Sequence, residues 1–349
     1  MTHQVVPSAG VTRTGVDADG DRVAIDACGV PFSANEAGPR RRGNAAERLD
    51  RRAFLSSAAA AVAATAPLTM SLGGEPQKKR GWEMKLSTSS LHYRSLPLEE
   101  ACQRIGKLGF SGVDVWAHFE WAGPLCEHLE EGVEKMGPAA FSDLLQRNGL
   151  SLFAASCYSA SVSKFLPALG ELGGCVVVRG SRSIQGSAAA LALDDLKTQM
   201  AQFVESLKPE LELAEQHRCT LAIENHSGRS LLNRLDSIKV FTDLNEHQNL
   251  GIALAPYHIQ LNKESVEQAI RLSGSQLKFF YAWQYGDGTN QLPGIGPTDV
   301  RPWLQALADV NYGGYVNPFM HHEPEPDDMD EALATSRAYL QQAYADVFR

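Results

Sequence analysis

The residue most demanding of explanation is Glu224. It ends an uninterrupted apolar run, Leu221-Ala222-Ile223, and is followed by Asn225-His226-Ser227-Gly228. A carboxyl placed there is stripped of water, so it needs either a cation or a proton. An ion pair with Arg179 or Arg229 is the simplest such cation; a metal ion or a catalytic proton is the functional alternative. Histidines gather in comparable places. Six of the ten, His92, His118, His226, His258, His321 and His322, follow short β-like runs. Aromatic and polar residues accompany them: Trp116 and Trp121, Cys157-Tyr158, Arg179, Asn225, Tyr257, Trp283-Gln284-Tyr285 and Glu323. Carboxylate and imidazole donors can hold a divalent ion, and flat aromatic faces with amide groups suit a sugar ring. Loops are polar in any protein, and a single His beside an aromatic ring is more often packing than chemistry.

These residues need a frame that brings chain-distant segments to one face. From Trp82 onward the sequence alternates strand-like and helical stretches. The strand candidates are residues 84–89, 112–117, 150–156, 175–179, 219–224, 250–254, 277–283 and 314–319. Runs such as Val176-Val177-Val178 are apolar throughout, as in strands buried on both faces. The clearest helix runs from Asp194 to His217, with Leu196, Met200, Phe203, Val204, Leu207, Leu211 and Ala214 on one face. Asp194 and Asp195 suit its N-terminus, and Pro209 is placed to kink it. Eight β-then-α units predict an α/β protein with a (β/α)8 barrel over residues 82–349. A doubly wound sheet is the alternative, but no G-x-G-x-x-G, P-loop or G-x-S-x-G is present. In such a barrel the residues above converge at the C-terminal ends of the strands.

The first 81 residues read differently. They hold 11 Lys/Arg against 8 Asp/Glu, whereas the remaining 268 hold 21 against 33, a net charge of −12. An acidic body of that size is a poor partner for a nucleic-acid backbone. The leader lacks apolar periodicity and reads as disordered. Within it, Arg51-Arg52 precedes an Ala-rich, weakly apolar stretch to Met70. This resembles a twin-arginine (Tat) export signal, which predicts engagement of the Tat machinery and a place in the periplasm or cell envelope, cleaved or as an uncleaved signal anchor. The six cysteines include no C-x-x-C pair, so neither a disulfide framework nor a Cys-based zinc site is indicated.

The body resembles the xylose-isomerase-like TIM-barrel superfamily, in its sugar phosphate isomerase/epimerase branch. The resemblance rests on Gly109-Phe110-Ser111-Gly112-Val113-Asp114-Val115-Trp116, the Glu-Asn-His-Ser-Gly segment at 224–228 and Pro256-Tyr257-His258. The loop Leu292-Pro293-Gly294-Ile295-Gly296 and Tyr312-Gly313-Gly314-Tyr315 extend it. It implies a carbohydrate substrate and a divalent metal (Mn, Mg, Co or Zn) that assists proton transfer through an enediolate. Of the family's residues, Glu224 matches a ligand that is also acid/base, and His258 matches a substrate-side histidine. The other three ligand positions hold Ala255, Tyr281 and, at or near the last, Phe319. The metal set expected from the residues at hand is therefore Glu224, His226, His258, His321 and Glu323, with Glu224 and His258 catalytic. Substrate contacts are expected from His92, Trp116, His118, Arg179, Asn225, Tyr257, Trp283 and Gln284. A non-catalytic carbohydrate-binding barrel with a decayed metal site is the competing reading. An endonuclease on the same barrel is disfavoured by the acidic charge.

Overall fold

The computed structural model describes residues 81–348 apart from 122 and 187–190, together with the backbone of three short strands nearer the N-terminus. Those three, Thr14–Val16, Arg22–Ile25 and Pro31–Phe32, form an antiparallel meander. The twin-arginine segment lies outside the described residues.

From Trp82 to the C-terminus, eight parallel strands close into a barrel: β1 (Lys85–Ser89), β2 (Gly112–Trp116), β3 (Ser151–Ser156), β4 (Val176–Gly180), β5 (Thr220–Glu224), β6 (Leu250–Leu254), β7 (Leu277–Ala282) and β8 (Tyr315–Pro318). Strand order around the barrel follows the sequence, and β8 returns to β1 with Val316 opposite Leu86. Each expected strand is present, with ends displaced by at most one residue. Among the described residues, ten α-helices of six residues or more follow the strands. They are α1 (Leu98–Lys107), α2 (Pro138–Arg147), α3 (Val162–Glu171), α4 (Leu193–Ser206), α5 (Lys208–Gln216), α6 (Leu235–Leu244), α7 (Pro256–Leu261), α8 (Val266–Ser273), α9 (Arg301–Asp309) and α10 (Pro326–Phe348). Among the described residues no helix is long and apolar enough to cross a membrane.

One element departs from expectation. The single helix read over 194–217 is two, α4 and α5, meeting at Leu207. Pro209 sits in the first turn of α5, where its missing N–H costs nothing; continued as one helix, its ring would strike the carbonyl of Glu205.

Period-two alternation divides the strand residues. Val113, Val115, Val177, Leu221, Ile223, Leu250, Ile252 and Leu254 join the apolar layer between barrel and helices. The opposite faces, directed into the barrel, carry a polar set: Ser87, Ser89, Asp114, Ser156, Glu224 and Asn317, all buried. Below them the aromatic rings of Phe153 and Phe279 stack at 5.2 Å. Polar groups are costly at such depth unless paired, and here they are.

Candidate active site

The polar interior is one connected network. Asp114 accepts hydrogen bonds from Ser89 Oγ (2.7 Å), Ser156 Oγ (2.8 Å) and Trp116 Nε1 (2.7 Å). Asn317 ties in from β8, donating to Ser89 Oγ at 3.1 Å and accepting from Ser87 Oγ at 2.8 Å. From Ser156 the network crosses the barrel to Tyr281 OH at 3.4 Å, and Tyr281 meets Tyr158 OH at 3.1 Å. The Tyr158 hydroxyl lies close enough to the Glu224 carboxyl to favour its ionised form. Three hydroxyls thus lie in a row between two buried carboxyls. Burial raises Asp114 to about 6, opposed by its three donors. Burial raises Glu224 to about 8, with Tyr158 opposing and the charge of Asp114 adding to the rise. At neutral pH Glu224 holds a proton and Asp114 is ionised. Burial also holds both tyrosine hydroxyls well above their ordinary range, so they stay protonated.

Neither candidate guanidinium supplies Glu224 with a cation. Arg179 points away from it to Glu210 on α5, and Arg229 donates to the carbonyl of Ile184 at 2.9 Å.

Above Glu224 the mouth is aromatic and histidine-rich. Trp283 stacks on Tyr257 at 4.5 Å and receives the edges of His258 and His321, each 5.2 Å away. Phe319 stacks on Trp116 at 5.6 Å. His226 and His258 lie ring to ring at 4.0 Å. His226 Nδ1 donates to the carbonyl of Ser227, and His258 Nδ1 meets Ser227 Oγ at 3.0 Å. Burial, reinforced by His226 and His321, holds His258 well below its ordinary range, so it is neutral. The β2 loop folds over this mouth: Phe119 and Cys126 form an antiparallel bridge, and Trp121 sets its edge to His321 at 5.1 Å. Arg94 Nη1 holds the Trp121 carbonyl at 2.8 Å. Gly123 lets the loop pass so closely that a Cβ there would stand 2.0 Å from the Arg94 guanidinium.

Other expected contact residues are occupied within the fold. His92 accepts from Met320 N–H through Nε2 at 3.3 Å, which leaves Nδ1 protonated and donating to Thr88 Oγ1 at 3.0 Å. Burial lowers its pKa to about 4, consistent with that neutral form. Asn225 clamps β5 to β6 through a reciprocal pair with the Ala255 backbone, at 2.7 and 3.2 Å. Gln284 spends both ends of its amide on the loop after β7, at Leu292 O (2.6 Å) and Thr298 N (2.7 Å). His118 lies out on the β2 loop, 3.5 Å from Glu127.

A family model described as the xylose isomerase-like TIM barrel matches residues 102–339. The chain belongs to that family. A D-psicose 3-epimerase of Ruminiclostridium cellulolyticum is 29% identical over 133 residues, 36% of this chain and 43% of that protein, so the match spans less than half of the relative's length. A crystal structure of D-psicose 3-epimerase in the presence of D-fructose aligns with a TM-score of 0.59 at 19% identity, over 74% of this chain and 99% of that one. The 3-keto-D-glucoside 4-epimerase of E. coli aligns with a TM-score of 0.57 at 18% identity, over 73% and 100%. At these identities the two structures share the fold.

In this xylose isomerase-like barrel the residues present do not fit a metal held by carboxylates and histidine. Ala255 offers a methyl group, the Tyr281 hydroxyl is spent on Tyr158 and Ser156, and Phe319 is packed flat on Trp116. Glu323, one of the two expected substitutes after β8 with His321, is taken by Arg94 at 2.9 Å, both side chains buried; burial raises it, but His321 and Arg94 prevail and lower its pKa. His321 Nδ1 stands 3.9 Å from it. Among the described residues no three His, Cys, Asp or Glu side chains are grouped to hold a metal ion, so the expected set of Glu224, His226, His258, His321 and Glu323 is not brought together as ligands. What the sequence reading passed over is Asp114 and its hydroxyl link to Glu224. The signal was available: Asp114 interrupts an apolar strand just as Glu224 ends one.

Proposed function

We propose that the barrel takes a free sugar or glycoside at its C-terminal mouth and shifts a proton on the carbon beside the sugar's carbonyl, with Glu224 giving and taking that proton. The carrying observation is the buried Glu224 carboxyl, 7% exposed at the foot of the aromatic mouth and joined to a second carboxyl. Membership of a family whose similar proteins include sugar epimerases supports the substrate class.

The network supports a way for one carboxyl to serve as both acid and base. With a single proton on the pair, Glu224 donates to Tyr158, Tyr158 to Tyr281, Tyr281 to Ser156, and Ser156 to the Asp114 carboxylate. Every hydroxyl then gives one hydrogen bond and receives one. Shifting each proton one place along the row moves the charge to Glu224 and makes it a base. The neutral ring of His258 and the faces of Trp283 and Tyr257 would orient the sugar. No step runs through a metal.

The test is proton exchange in D2O. With D-fructose or D-psicose, wild type should wash deuterium into the carbon beside the carbonyl, followed by proton NMR, and Glu224→Gln should lose this by about 100-fold or more. Exchange by the Glu224→Gln variant at the wild-type rate would overturn the role of Glu224. The rival reading, a binding barrel without catalysis, is favoured by Ala255, Tyr281 and Phe319 at the ligand positions. It would be supported by sugar binding in calorimetry with no exchange by wild type.

The same reading puts the work outside the cytoplasm, on the strength of Arg51-Arg52 and the Ala-rich stretch behind it. Cell fractionation of the full chain, with Arg51→Lys and Arg52→Lys together as control, tests this. Cytoplasmic retention of the wild type would sink it.

A further inference from the structure

At the opposite end of the barrel from the mouth, Cys175 and Cys219 stand immediately before β4 and β5. The register pairs Val176 with Thr220, and Thr220 N–H donates to the Cys175 carbonyl at 3.0 Å. The two cysteines are therefore lateral neighbours on adjacent parallel strands. Strand spacing of about 4.8 Å falls inside the Cα separation of about 4.4–6.8 Å that a disulfide spans. The chain is brought in this close by Gly174. It has φ +84°, and a Cβ on it would lie 2.1 Å from the Arg218 carbonyl. Arg218 in turn takes the left-handed conformation and anchors its guanidinium on the Gly170 carbonyl at 2.8 Å. Both thiols are free, Cys219 buried and Cys175 half-buried, and the Cys219 thiol donates to the His217 carbonyl at 3.5 Å.

We infer that Cys175 and Cys219 form an oxidation site in which a peroxide converts the pair to a disulfide. The two thiols play unequal parts. The neighbouring Cys175, with Arg218 beside the pair, brings Cys219 down to about 7 against its burial, while Cys219 and burial push Cys175 up. Cys219 is thus the more readily ionised of the two, and its thiolate is the nucleophile. It attacks one peroxide oxygen; the O–O bond breaks, an S–O bond forms, and hydroxide leaves. The Cys175 sulfur then attacks the Cys219 sulfenic sulfur. An S–S bond replaces the S–O bond, and the sulfenic hydroxyl leaves with the Cys175 proton as water. Two electrons pass from sulfur to the peroxide, which ends as water and hydroxide. A peroxide is small enough to reach a buried sulfur, which a bulky disulfide is not.

Treating the full chain with hydrogen peroxide and digesting it with trypsin without reductant tests this. The expected product is a cross-link between residues 165–179 and 219–229, with loss of two free thiols; Cys157 falls on a different tryptic peptide. In Cys175→Ser, Cys219 should accumulate as a sulfenic acid trapped by dimedone, severalfold above wild type. In Cys219→Ser, Cys175 should stay reduced. No 165–179/219–229 cross-link in the wild type, or equal dimedone labelling of Cys219 in wild type and Cys175→Ser, would overturn the assignment. The outcome is independent of sugar turnover.

Discussion

At the scale of single residues, the protonated Glu224 makes a pH signature. Its pKa is raised in the folded protein from 4.5 to about 8. Between those values the folded state keeps a proton that the unfolded chain has lost, so stability falls as pH rises from about 4.5 to about 8. Below 4.5 both states are protonated and the dependence vanishes. Glu224→Gln mimics the protonated carboxyl and should remove this part of the slope. Urea unfolding of both proteins at pH 5 and pH 8.5 would show the wild type losing on the order of a few kcal/mol more than the variant. Equal losses would place the proton elsewhere. Glu224→Ala is a different experiment: it removes the hydrogen-bond partner of the Tyr158 hydroxyl and should cost about 1–3 kcal/mol at pH 5.

At the scale of elements, several residues that look like chemistry hold strands and loops together. Asn225→Ala would leave the Ala255 N–H buried without its partner; a loss of about 1–3 kcal/mol with an unchanged denaturant slope is expected. The Arg94–Glu323 pair joins the segment after β1 to the segment after β8 and pins the β2 loop through Trp121. Glu323→Gln alone should cost about 3–5 kcal/mol, because it strands a buried guanidinium. Arg94→Met with Glu323→Leu should recover most of that loss, and thermal unfolding of the wild type and the two variants would show it. The contrast explains what was legible in the sequence. Strands such as Val176-Val177-Val178 announce themselves because both faces are buried, and Glu224 stands out because nothing apolar excuses it. The contacts of Asn225, Gln284 and His92 depend on where a backbone carbonyl or amide arrives from another strand, and residue type does not encode that. A histidine that seals β1 to β8 and one that would grip a sugar read alike. The cysteines defeated the sequence for the same reason, since 44 residues separate Cys175 from Cys219 and only the register brings them side by side.

At the scale of the whole molecule, barrel closure is a long-range event. Ser87 to Asn317, Thr88 to Pro318 and Trp82 to Tyr312 each bridge 230 residues. The β4–β5 pairing spans far fewer, with Val177 opposite Leu221. Because distant contacts form after local ones, pulse-labelling hydrogen exchange during refolding should find β5 amides protected before those of β8. Simultaneous protection would mean that the barrel closes in one step. The same separation has a consequence during synthesis. At about 5–20 residues per second, a ribosome needs roughly ten to forty-five seconds to go from Ser87 to Asn317. For that interval the nascent chain carries β1 with an open edge, and the Asn317 amide that will brace Ser89 beside Asp114 has not yet been made. A chaperone holding this half-built sheet would be shielding the seam through which the hydroxyl row is later completed.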